Sequence, residues 1–600
     1  MRIIFAWLAG CVVAISATAA TSDYRERLPE DEIVYFVLPD RFDNGDRAND
    51  RGGLEGDRLT TGFDPTSKGF YHGGDLKGLT ARLDYIQGLG ATAIWLGPIY
   101  KNKPVQGGPG QESAGYHGYW ITDFTRVDPH FGTDAELRAF VDAAHARGMK
   151  VYLDIITNHT ADVIQYRECP ASACAYRSRA DFPYSRRGGP DGPPINAGFA
   201  GDDVRTAANF AKFTDSTYAY TPFVPPAEAN LKVPAWLNSP IYYHNRGNSD
   251  FWGESSLLGD FFGLDDLMTE NPRVVQGFID IYGDWIERLR IDGFRIDTAR
   301  HVNPEFWRAF VPAMLKRARA SGIPNFHIFG EVAAEGVDVA QLARHTRDDK
   351  LPSVLDFGFA GAMSQVLSGK AGTDLLARLY ADDVLYEGGS PAALRLPTFT
   401  GNHDFGRFAW LLRSALPDAG NDELLKRVML SNAMLFLLRG VPVVYYGDEQ
   451  GFIGHGVDQA ARQDMFASQV ASYNDQPLLG TPSTTAVENF NALHPIYKDI
   501  AGLASLRKQY PALRRGRQVV RAQSREPGLF AVSRIGNDGR EILLAFNTSA
   551  QRIAARVQVE AGTQTFTALL GHCEGSDMPG SVKIELPPFG YAACLGGAAP

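Results

Sequence analysis

Residues 293–301 read GFRIDTARH, a short apolar stretch of strand type that ends in an aspartate, with an arginine two residues before it. Three further segments also place an acidic or imidazole side chain at the end of a predicted strand: residues 154–159 (DIITNH), 329–332 (FGEV) and 399–404 (FTGNHD). Acidic or imidazole side chains at the carboxyl ends of successive strands are what a (β/α)8 barrel presents to a substrate. Acids also follow strands because they suit turns, but four segments in this order are poorly explained by that alone.

Three more segments extend the pattern along the chain: residues 73–79 (GGDLKGL), 115–120 (GYHGYW) and 440–449 (GVPVVYYGDE). All seven segments resemble motifs of the α-amylase family, glycoside hydrolase family thirteen, and they occur in that family's order. The resemblance covers nearly the whole chain after its N-terminus. It implies a (β/α)8 TIM barrel with an irregular domain B inserted after the third strand and a C-terminal antiparallel β-sandwich, domain C.

Apolar runs mark where the barrel elements should lie. We predict eight strands, at residues 33–38, 93–96, 150–155, 294–296, 327–329, 353–357, 396–400 and 441–446. Residues 272–290 carry apolar side chains at helical spacing and predict an amphipathic helix. Short alternating strands after Arg517 predict the sandwich. The predicted boundaries are 21–159 and 265–515 for the barrel, 160–264 for domain B and 516–600 for domain C.

The N-terminus has the form of a secretory signal peptide. A basic start precedes an apolar stretch at residues 3–15, and small residues follow up to Ala20. The stretch is too short to span a bilayer. Residues 8–11 (LAGC) also resemble a lipoprotein cleavage box, although cleavage there leaves only about five apolar residues upstream. We therefore expect a periplasmic or secreted protein, with a lipid anchor as the lesser alternative.

Composition limits the partners of the chain. With 59 basic and 69 acidic residues the formal net charge is −10, which argues against nucleic acid or another polyanion. The length of 600 residues exceeds one ordinary domain and fits a large barrel with accessory domains. No second apolar stretch of spanning length follows the N-terminus, so we expect no membrane span, and we expect a monomer.

Four cysteines follow the predicted signal peptide: Cys169, Cys174, Cys573 and Cys594. They form two local pairs in the sequence, which favours Cys169–Cys174 and Cys573–Cys594, although four cysteines allow three connectivities. A zinc site is disfavoured because no histidine lies at ligand spacing near either pair. Disulfides fit an oxidising compartment.

The resemblance implies catalysis by retention, in which one carboxylate attacks the anomeric carbon and another protonates the leaving oxygen. It makes Asp297 the nucleophile, Glu331 the general acid, and Asp404 a third carboxylate that grips sugar hydroxyls. Arg295 lies two residues before Asp297, on the same face of the strand, and we expect it to hold that carboxylate ionised. A glutamic acid in a closed apolar pocket has a raised pKa, as a general acid requires.

The resemblance also implies six side chains that contact the sugar. His117, His159 and His403 would donate hydrogen bonds and Tyr119 would stack under the ring, and the set as a whole is His117, Tyr119, His159, Arg295, Arg300 and His403. Arg300 stands where many α-amylases carry lysine, which keeps the charge and changes its geometry.

The acceptor of the glycosyl group decides between hydrolysis and transfer. After Glu331 the chain continues with Val332, Ala333 and Ala334, whereas family glucanotransferases tend to have bulky aromatics there. This favours water as the acceptor. We therefore expect hydrolysis of α-1,4-glucosidic bonds in starch-like glucans and maltodextrins. The alternative is a glucanotransferase or a cyclodextrin- or pullulan-degrading enzyme, while the intact acids argue against a non-catalytic binding protein.

Two groups of oxygen-bearing residues suggest Ca²⁺. One group resembles a calcium loop of neopullulanase-like and cyclodextrin-forming family members, and it consists of Asn44, Asp46, Asn49, Asp50, Gly73 and Asp75. Its spacing suits a hard cation, although an Asx-rich turn is the alternative. The second group matches ligands of the family calcium that joins the barrel to domain B: Asn158, Asp266 and the carbonyl of His301. The sequence identifies no ligand from domain B itself.

Overall fold

Seven parallel strands form the centre of the molecule. The structure is a computed structural model that describes residues 24–169, 174–334, 336–575, 578 and 580–598; the predicted signal peptide at 1–20 lies outside the described residues. The strands are β1 (Val34–Val37), β2 (Ala93–Leu96), β3 (Lys150–Ile155), β4 (Gly293–Ile296), β5 (His327–Gly330), β6 (Pro397–Thr398) and β7 (Val441–Tyr445). Their order in the sheet is β5-β4-β3-β2-β1-β7-β6. The predicted (β/α)8 fold is therefore confirmed.

The sixth predicted strand, at residues 353–357, is much shorter than expected. It makes one parallel bridge, between Gly330 and Val354. Backbone hydrogen bonds join this segment to Gly330 on β5 and to Pro397 on β6, which closes the barrel. The extended segment ends early because Asp356 caps the next helix through its side chain.

Helices connect the strands and pack around them. The longer ones are Leu76–Ala81, Leu83–Gly88, Asp134–Ala146, Pro272–Leu289, Pro304–Ala320, Val339–Arg347, Phe357–Leu367, Asp374–Ala381, Phe408–Ala415, Asn421–Leu437 and Pro495–Gln509. The helix predicted at 272–290 is confirmed. Asn271 caps it, Pro272 suits its first turn, and it ends where Arg290 adopts a left-handed conformation, with φ of 58°.

The insertion between β3 and the helix Pro272–Leu289 contains only short elements. These are the strands His159–Thr160, Gln165–Tyr166, Pro222–Phe223 and Asp265–Asp266, the α-helices Ala207–Phe210 and Ser255–Leu258, and the 3-10 helices Pro226–Glu228, Ala235–Asn238 and Pro240–Tyr242. The first and last of these strands pair with each other, so the insertion leaves and rejoins the barrel at one point. A small aromatic core of its own includes Tyr184, Phe213 and Tyr218. The insertion is thus a lobe beside the carboxyl end of β3.

The C-terminal part is a two-sheet antiparallel sandwich. Its strands are β8 (Arg517–Ala522), β9 (Leu529–Ile535), β10 (Glu541–Asn547), β11 (Ile553–Gln558), β12 (Thr563–Leu570), β13 (Cys573–Gly575), β14 (Ser581–Leu586) and β15 (Tyr591–Ala598). The sheets have the orders β8-β9-β10-β15-β12 and β11-β14-β13. Along β10, Leu543 and Ala545 belong to the core between the sheets, whereas Leu544 and Phe546 belong to the barrel core. This alternation fixes the sandwich to the barrel.

Both predicted disulfides form, Cys169–Cys174 in the insertion and Cys573–Cys594 in the sandwich. In the described part of the chain, no helix is both long and apolar enough to cross a bilayer.

Candidate active site

A cleft of about 570 Å³ opens at the carboxyl ends of the barrel strands. Eight of the residues predicted as catalytic, substrate-binding or metal-binding line it, namely His117, Tyr119, His159, Asp297, Arg300, His301, Glu331 and Asp404. Arg295 and His403 are fully buried and contact residues of this lining. The fold thus brings together all nine residues predicted to act on the sugar, with His301 beside them.

One guanidinium joins three carboxylates at the base of the cleft. Arg295 Nη1 lies 2.8 Å from Asp154 Oδ1 and 2.9 Å from Asp297 Oδ1. Its other terminal nitrogen, Nη2, lies 2.9 Å from Glu331 Oε2. This follows from register, because β4 pairs with β3 on one side and with β5 on the other. Asp154 at the end of β3 was not predicted as a site residue.

The pKa of Asp297 is raised, whereas the sequence led us to expect that Arg295 would keep this carboxylate ionised. Burial raises the pKa of Asp297 to about 7; Asp154 and Asp404 add to the rise and Arg295 opposes it. Burial likewise raises the pKa of Glu331 to about 7, with Asp297 and Asp404 adding to it. Arg295 does lower the pKa of Asp297, as the sequence suggested, but burial and the neighbouring carboxylates outweigh its effect. The site therefore retains a proton near neutrality.

Hydrogen bonding distinguishes the two oxygens of each carboxyl group. The backbone N–H of Thr298 donates to Glu331 Oε2 over 3.1 Å, and Arg295 approaches the same oxygen. Asp297 Oδ1 accepts from Arg295. Within the described residues no protein donor reaches Glu331 Oε1 or Asp297 Oδ2. One oxygen of each group is therefore left for a proton or for a reacting atom.

Asp404 is held from two sides. Its side chain is 35% exposed, with Oδ2 3.2 Å from His403 Nε2 and Oδ1 2.9 Å from Arg462 Nη2. Arg462 is buried, pairs with Asp458 at 2.5 Å and donates to the hydroxyl of Tyr116 at 3.2 Å. The sequence analysis missed Asp458 and Arg462, which lie after β7 at the start and the C-terminal cap of the short 3-10 helix Asp458–Ala461. The only sequence feature that could have linked Arg462 to Asp458 is their spacing of four residues.

The three predicted sugar-binding histidines are neutral. Burial lowers the pKa of His117 and His403 well below the usual value, and it lowers the pKa of His159 to about 3. His159 lines the cleft, and its Nε2 has no hydrogen-bond partner among the described residues. Tyr119 places its hydroxyl 2.8 Å from His403 Nε2 and 3.1 Å from Asp154 Oδ2. A neutral imidazole and an oriented phenol suit recognition of an uncharged hydroxylated ligand.

Aromatic side chains that were not predicted extend the cleft. Phe262 and Phe405 line it and are 76% and 44% exposed. Phe251 packs against Phe262 from behind, with ring centroids 4.9 Å apart. Arg300 donates to the carbonyl of Ala333 over 2.6 Å and so fixes the segment after Glu331. Exposed aromatic rings in a cleft are suited to stacking on apolar faces of a ligand.

The first predicted calcium group is brought together by the fold. Asn44 Nδ2 lies 2.8 Å from Asp50 Oδ1, and the backbone N–H of Asp46 donates to Asp75 Oδ2 over 2.7 Å. The side-chain oxygens of Asn44 and Asn49 are buried and have no partner among the described residues. Two orphaned amide oxygens beside the carboxylates of Asp50 and Asp75 fit a hard cation. Gly73 belongs here too, since a Cβ on it would lie 2.6 Å from Asn44 Nδ2 and Asp50 Oδ1.

The three residues of the second predicted group make hydrogen bonds within the protein. Asp266 Oδ2 lies 2.6 Å from His244 Nδ1, so its carboxylate already faces an imidazole. The carbonyl of Asn158 accepts from the backbone N–H of Leu267 over 2.9 Å, and the ring of His301 lies 2.8 Å from the carbonyl oxygen of Ser256. In the part of the chain that the structure describes, no cluster of three or more His, Cys, Asp and Glu side chains could hold a metal. A cation at either place would therefore need amide or backbone oxygens in addition to carboxylates.

Comparison with known proteins agrees with the fold. A family model described as "Alpha amylase, catalytic domain" matches residues 36–516. An alpha-amylase from Streptomyces lividans is 46% identical over 558 residues, which cover 93% of this chain and 59% of that relative. The chain thus spans less than two thirds of that relative's length.

Two solved structures of 25–26% identity have the same overall arrangement. The alpha-amylase from Geobacillus thermoleovorans complexed with acarbose has a TM-score of 0.67 at 26% identity, with 96% of this chain and 100% of that chain covered. A cyclomaltodextrin glucanotransferase with a three-domain ABC distribution has a TM-score of 0.69 at 25% identity, with 95% and 99% covered.

Proposed function

We propose that this chain, which belongs to the α-amylase family, is a retaining hydrolase of α-1,4-glucosidic bonds in starch-like glucans and maltodextrins. The observation that carries the proposal is the position of Arg295 between Asp297 and Glu331 at the base of an open cleft. Two carboxyl groups that flank the scissile glycosidic bond are what double displacement requires. The Streptomyces lividans relative, an alpha-amylase, supports the choice of substrate.

In the first step Asp297 Oδ2 attacks the anomeric carbon while Glu331 gives its proton to the departing glycosidic oxygen. The bond to that oxygen breaks, and a covalent glycosyl ester forms on Asp297. In the second step Glu331, now ionised, takes a proton from water, and the resulting oxygen attacks the same carbon. Asp297 leaves as a carboxylate, Glu331 is protonated again, and the product has the α configuration.

The remaining predicted residues bind and orient the sugar. Asp404 accepts hydrogen bonds from ring hydroxyls because Arg462 and His403 hold its carboxylate toward the cleft. His117 and His159, neutral and lining the cleft, donate to the same ring, and Tyr119 stacks beneath it. Arg300 acts on the acceptor side, where it fixes the segment after Glu331.

Calcium has a structural role in this proposal. The loop of Asn44, Asn49 and Asp50 would hold one ion through the two orphaned amide oxygens and a carboxylate. Such an ion would tie this loop to Gly73 and to Asp75, which caps the helix Leu76–Ala81. It takes no part in the chemistry.

Export is part of the same proposal. The signal-peptide pattern at residues 1–20 and the disulfides Cys169–Cys174 and Cys573–Cys594 are consistent with a periplasmic or secreted enzyme. Polymeric glucans are available as substrates in such a compartment.

Product analysis tests the function. Maltoheptaose should yield shorter linear maltooligosaccharides at the earliest times, and proton NMR should show the α-anomer before mutarotation. Variants Asp297→Asn and Glu331→Gln, purified in the same way, control for contaminating amylase. A β-anomer as first product, or no cleavage of any α-glucan by the wild type, would refute the proposal.

A glucanotransferase is the second candidate, and Phe262 favours it. The ring is 76% exposed and lines the cleft, where it could hold a sugar acceptor by stacking. The structural similarity to a cyclomaltodextrin glucanotransferase points the same way. Cyclic products or products longer than maltoheptaose at early times would select this candidate, and Phe262→Ala should then shift the balance toward hydrolysis.

A further inference from the structure

Arg41 is a fully buried arginine that the proposed chemistry does not use. It ends the 3-10 helix Pro39–Arg41, which follows β1 at the carboxyl end of that strand. Its guanidinium carbon lies 3.9 Å from the centroid of the Tyr116 ring. Tyr116 directly precedes His117, which lines the cleft. A buried cation therefore packs against the neighbour of a cleft residue.

Tyr116 connects Arg41 to Asp404 through Arg462. Arg462 Nη1 donates to the hydroxyl of Tyr116 over 3.2 Å, and Nη2 of the same guanidinium lies 2.9 Å from Asp404 Oδ1. Tyr116 is itself fully buried. Because a ring in a close-packed interior cannot shift without displacing its neighbours, the ring that packs on Arg41 fixes where Arg462 stands. Asp404 is thus the last member of a row of four contacting side chains.

The main chain joins the same two segments. The backbone N–H of Met465 donates to the carbonyl of Arg41 over 2.8 Å. Asp464 Oδ1 lies 2.7 Å from His72 Nδ1 and 3.9 Å from Arg41 Nε. Arg462 is two residues before Asp464, so the segment that carries it is fastened to Arg41 by both main chain and side chains.

Arg41 is held in turn by a carboxylate and two carbonyl groups. Its Nη1 pairs with Asp40 and donates to the carbonyl of Phe70 over 3.0 Å, and its Nη2 donates to the carbonyl of Lys68 over 2.9 Å. The carboxylate of Asp40 also accepts from the backbone N–H of His72 over 3.0 Å. A planar guanidinium can make these contacts at once, whereas a single ammonium cannot.

A buried arginine can also serve stability alone, and Arg439 is an example. Arg439 is equally buried and pairs with two carboxylates, those of Asp356 and Asp383. Both of these partners lie outside the cleft lining. Arg41 differs from Arg439 because its contacts lead to Asp404.

We propose that Arg41 and Tyr116 are positioning residues for Asp404. Neither side chain lines the cleft, so each acts through Arg462, which turns the carboxylate of Asp404 toward the sugar. The inference rests on the proposed function in one respect, that Asp404 holds a sugar hydroxyl. It is the same for hydrolysis and for transfer.

A double-mutant cycle with Arg462 tests this role, with the rate followed as disappearance of maltoheptaose. Tyr116→Phe removes one hydroxyl and keeps the ring, and it should lower kcat/KM by roughly 2–10-fold because Arg462 loses a hydrogen bond. In an Arg462→Lys background the same substitution should have little further effect, because the hydroxyl then acts on a group already displaced. Equal losses in the two backgrounds would overturn the proposal.

Tyr497→Phe is the matched control for the loss of a buried hydroxyl. The hydroxyl of Tyr497 donates to the carbonyl of Tyr85 over 2.8 Å, outside the cleft lining. Both tyrosine variants should lower the Tm, but Tyr497→Phe should leave kcat/KM unchanged. A loss of kcat/KM no larger for Tyr116→Phe than for Tyr497→Phe would mean that Tyr116 supports only the fold.

Arg41→Lys is compared with Arg439→Lys in the same way. Each keeps the charge and loses a planar guanidinium that pairs with buried carboxylates, so both should lower the Tm. Only Arg41→Lys should lower kcat/KM, and this loss should disappear in the Arg462→Lys background. If Arg41→Lys does not fold, Tyr116→Phe decides the question, since it removes a single oxygen. A wild type that consumes no glucan would instead refute the proposed function, and with it the role of Asp404.

Discussion

Arg295 and Glu331 lie 2.9 Å apart, from Nη2 to Oε2, and the other terminal nitrogen of the same guanidinium contacts Asp297. The proposed acid and the proposed nucleophile therefore share one positive charge. With Asp154 also paired to it, the site carries an excess of negative charge and holds a proton more strongly than separate ion pairs would. That proton is the one that Glu331 must deliver, and the excess of negative charge suits a cationic transition state.

Substituting the acid should affect substrates according to their leaving group. Glu331→Gln should lower kcat on maltooligosaccharides by about 10²–10⁴-fold, because the departing oxygen then receives no proton. Maltosyl fluoride should lose far less activity, since fluoride leaves without protonation, and azide should accelerate its turnover in this variant. Steady-state kinetics on both substrates measure the contrast.

Asp297→Asn is the matched control for that contrast. It removes the nucleophile, so both substrates should lose activity by similar and large factors. If Glu331→Gln were equally impaired on the fluoride and on the oligosaccharide, Glu331 would not be the acid.

Asp154→Asn should move the pH profile of kcat/KM toward acid. Asp154 raises the pKa of Asp297, so removing its negative charge lowers that pKa, and the acid limb should shift by about one pH unit. Asparagine keeps the shape of the side chain. Asp448→Asn removes another buried carboxylate, one paired with Arg407 outside the cleft lining, and should leave the limb unchanged. Equal profiles for wild type and Asp154→Asn would contradict the shared-charge account.

Sequence reasoning reached the residues whose place follows from a regular element. Asp297 and Glu331 end adjacent strands, so recognising those strands was enough to bring the two side chains into one cleft. Arg295 was placed correctly on the same face, but the direction of the pKa shift was not predicted. That shift depends on burial and on Asp154, neither of which a motif reveals.

Residues from irregular segments were missed for a physical reason. Arg462 and Phe262 lie in loops whose path is set by contacts far along the chain, not by a local period. His244 is 22 residues from Asp266 in an insertion with only short elements, and nothing in that spacing predicts their contact. The strand predicted at 353–357 is shorter than expected for a related reason. The apolar run favours a longer strand, but Asp356 caps the next helix and ends it.

Glu331→Gln should be more stable than the wild type above neutral pH. A carboxyl group whose pKa rises on folding, here to about 7, binds its proton more tightly in the folded state. Stability from it is fully present below the unfolded pKa and is lost as pH rises through about 7. The Glu331→Gln variant has no proton to lose at this position and keeps its stability as the pH rises. Its free energy of unfolding should therefore exceed that of the wild type by on the order of 1–3 kcal/mol at pH 8. Denaturant titrations at pH 5 and 8 measure it, and the difference should be smaller at pH 5.

Arg462→Lys should weaken substrate binding and turnover together. The planar guanidinium contacts Asp404 and Asp458 at once, which a single ammonium cannot reproduce. We expect kcat/KM to fall by about 10–100-fold, since a misplaced Asp404 no longer holds the sugar in its reactive position. Arg407→Lys, a buried arginine outside the cleft lining, controls for the loss of a buried guanidinium and should lower Tm with little change in KM. A similar rise in KM for both variants would show that Arg462 acts only on stability.

Chelation should lower the thermal stability of the wild type through the Asn44 loop. The buried oxygens of Asn44 and Asn49 have no partner among the described residues, so an ion that binds them stabilises only the folded state and raises Tm by mass action. At a free calcium concentration of about 100 times Kd this is worth roughly 2.7 kcal/mol.

Differential scanning calorimetry with calcium and with EDTA should show the fall in Tm. Asp50→Asn should have a lower Tm than the wild type in calcium and should melt close to the chelated wild type in EDTA, because it loses a ligand charge beside Asn44. Asp64→Asn is the control, since that carboxylate pairs with exposed Arg58 away from this loop. A wild type that melts at the same temperature in both buffers and contains no calcium would refute the site, and the orphaned oxygens would then belong to an Asx-rich turn.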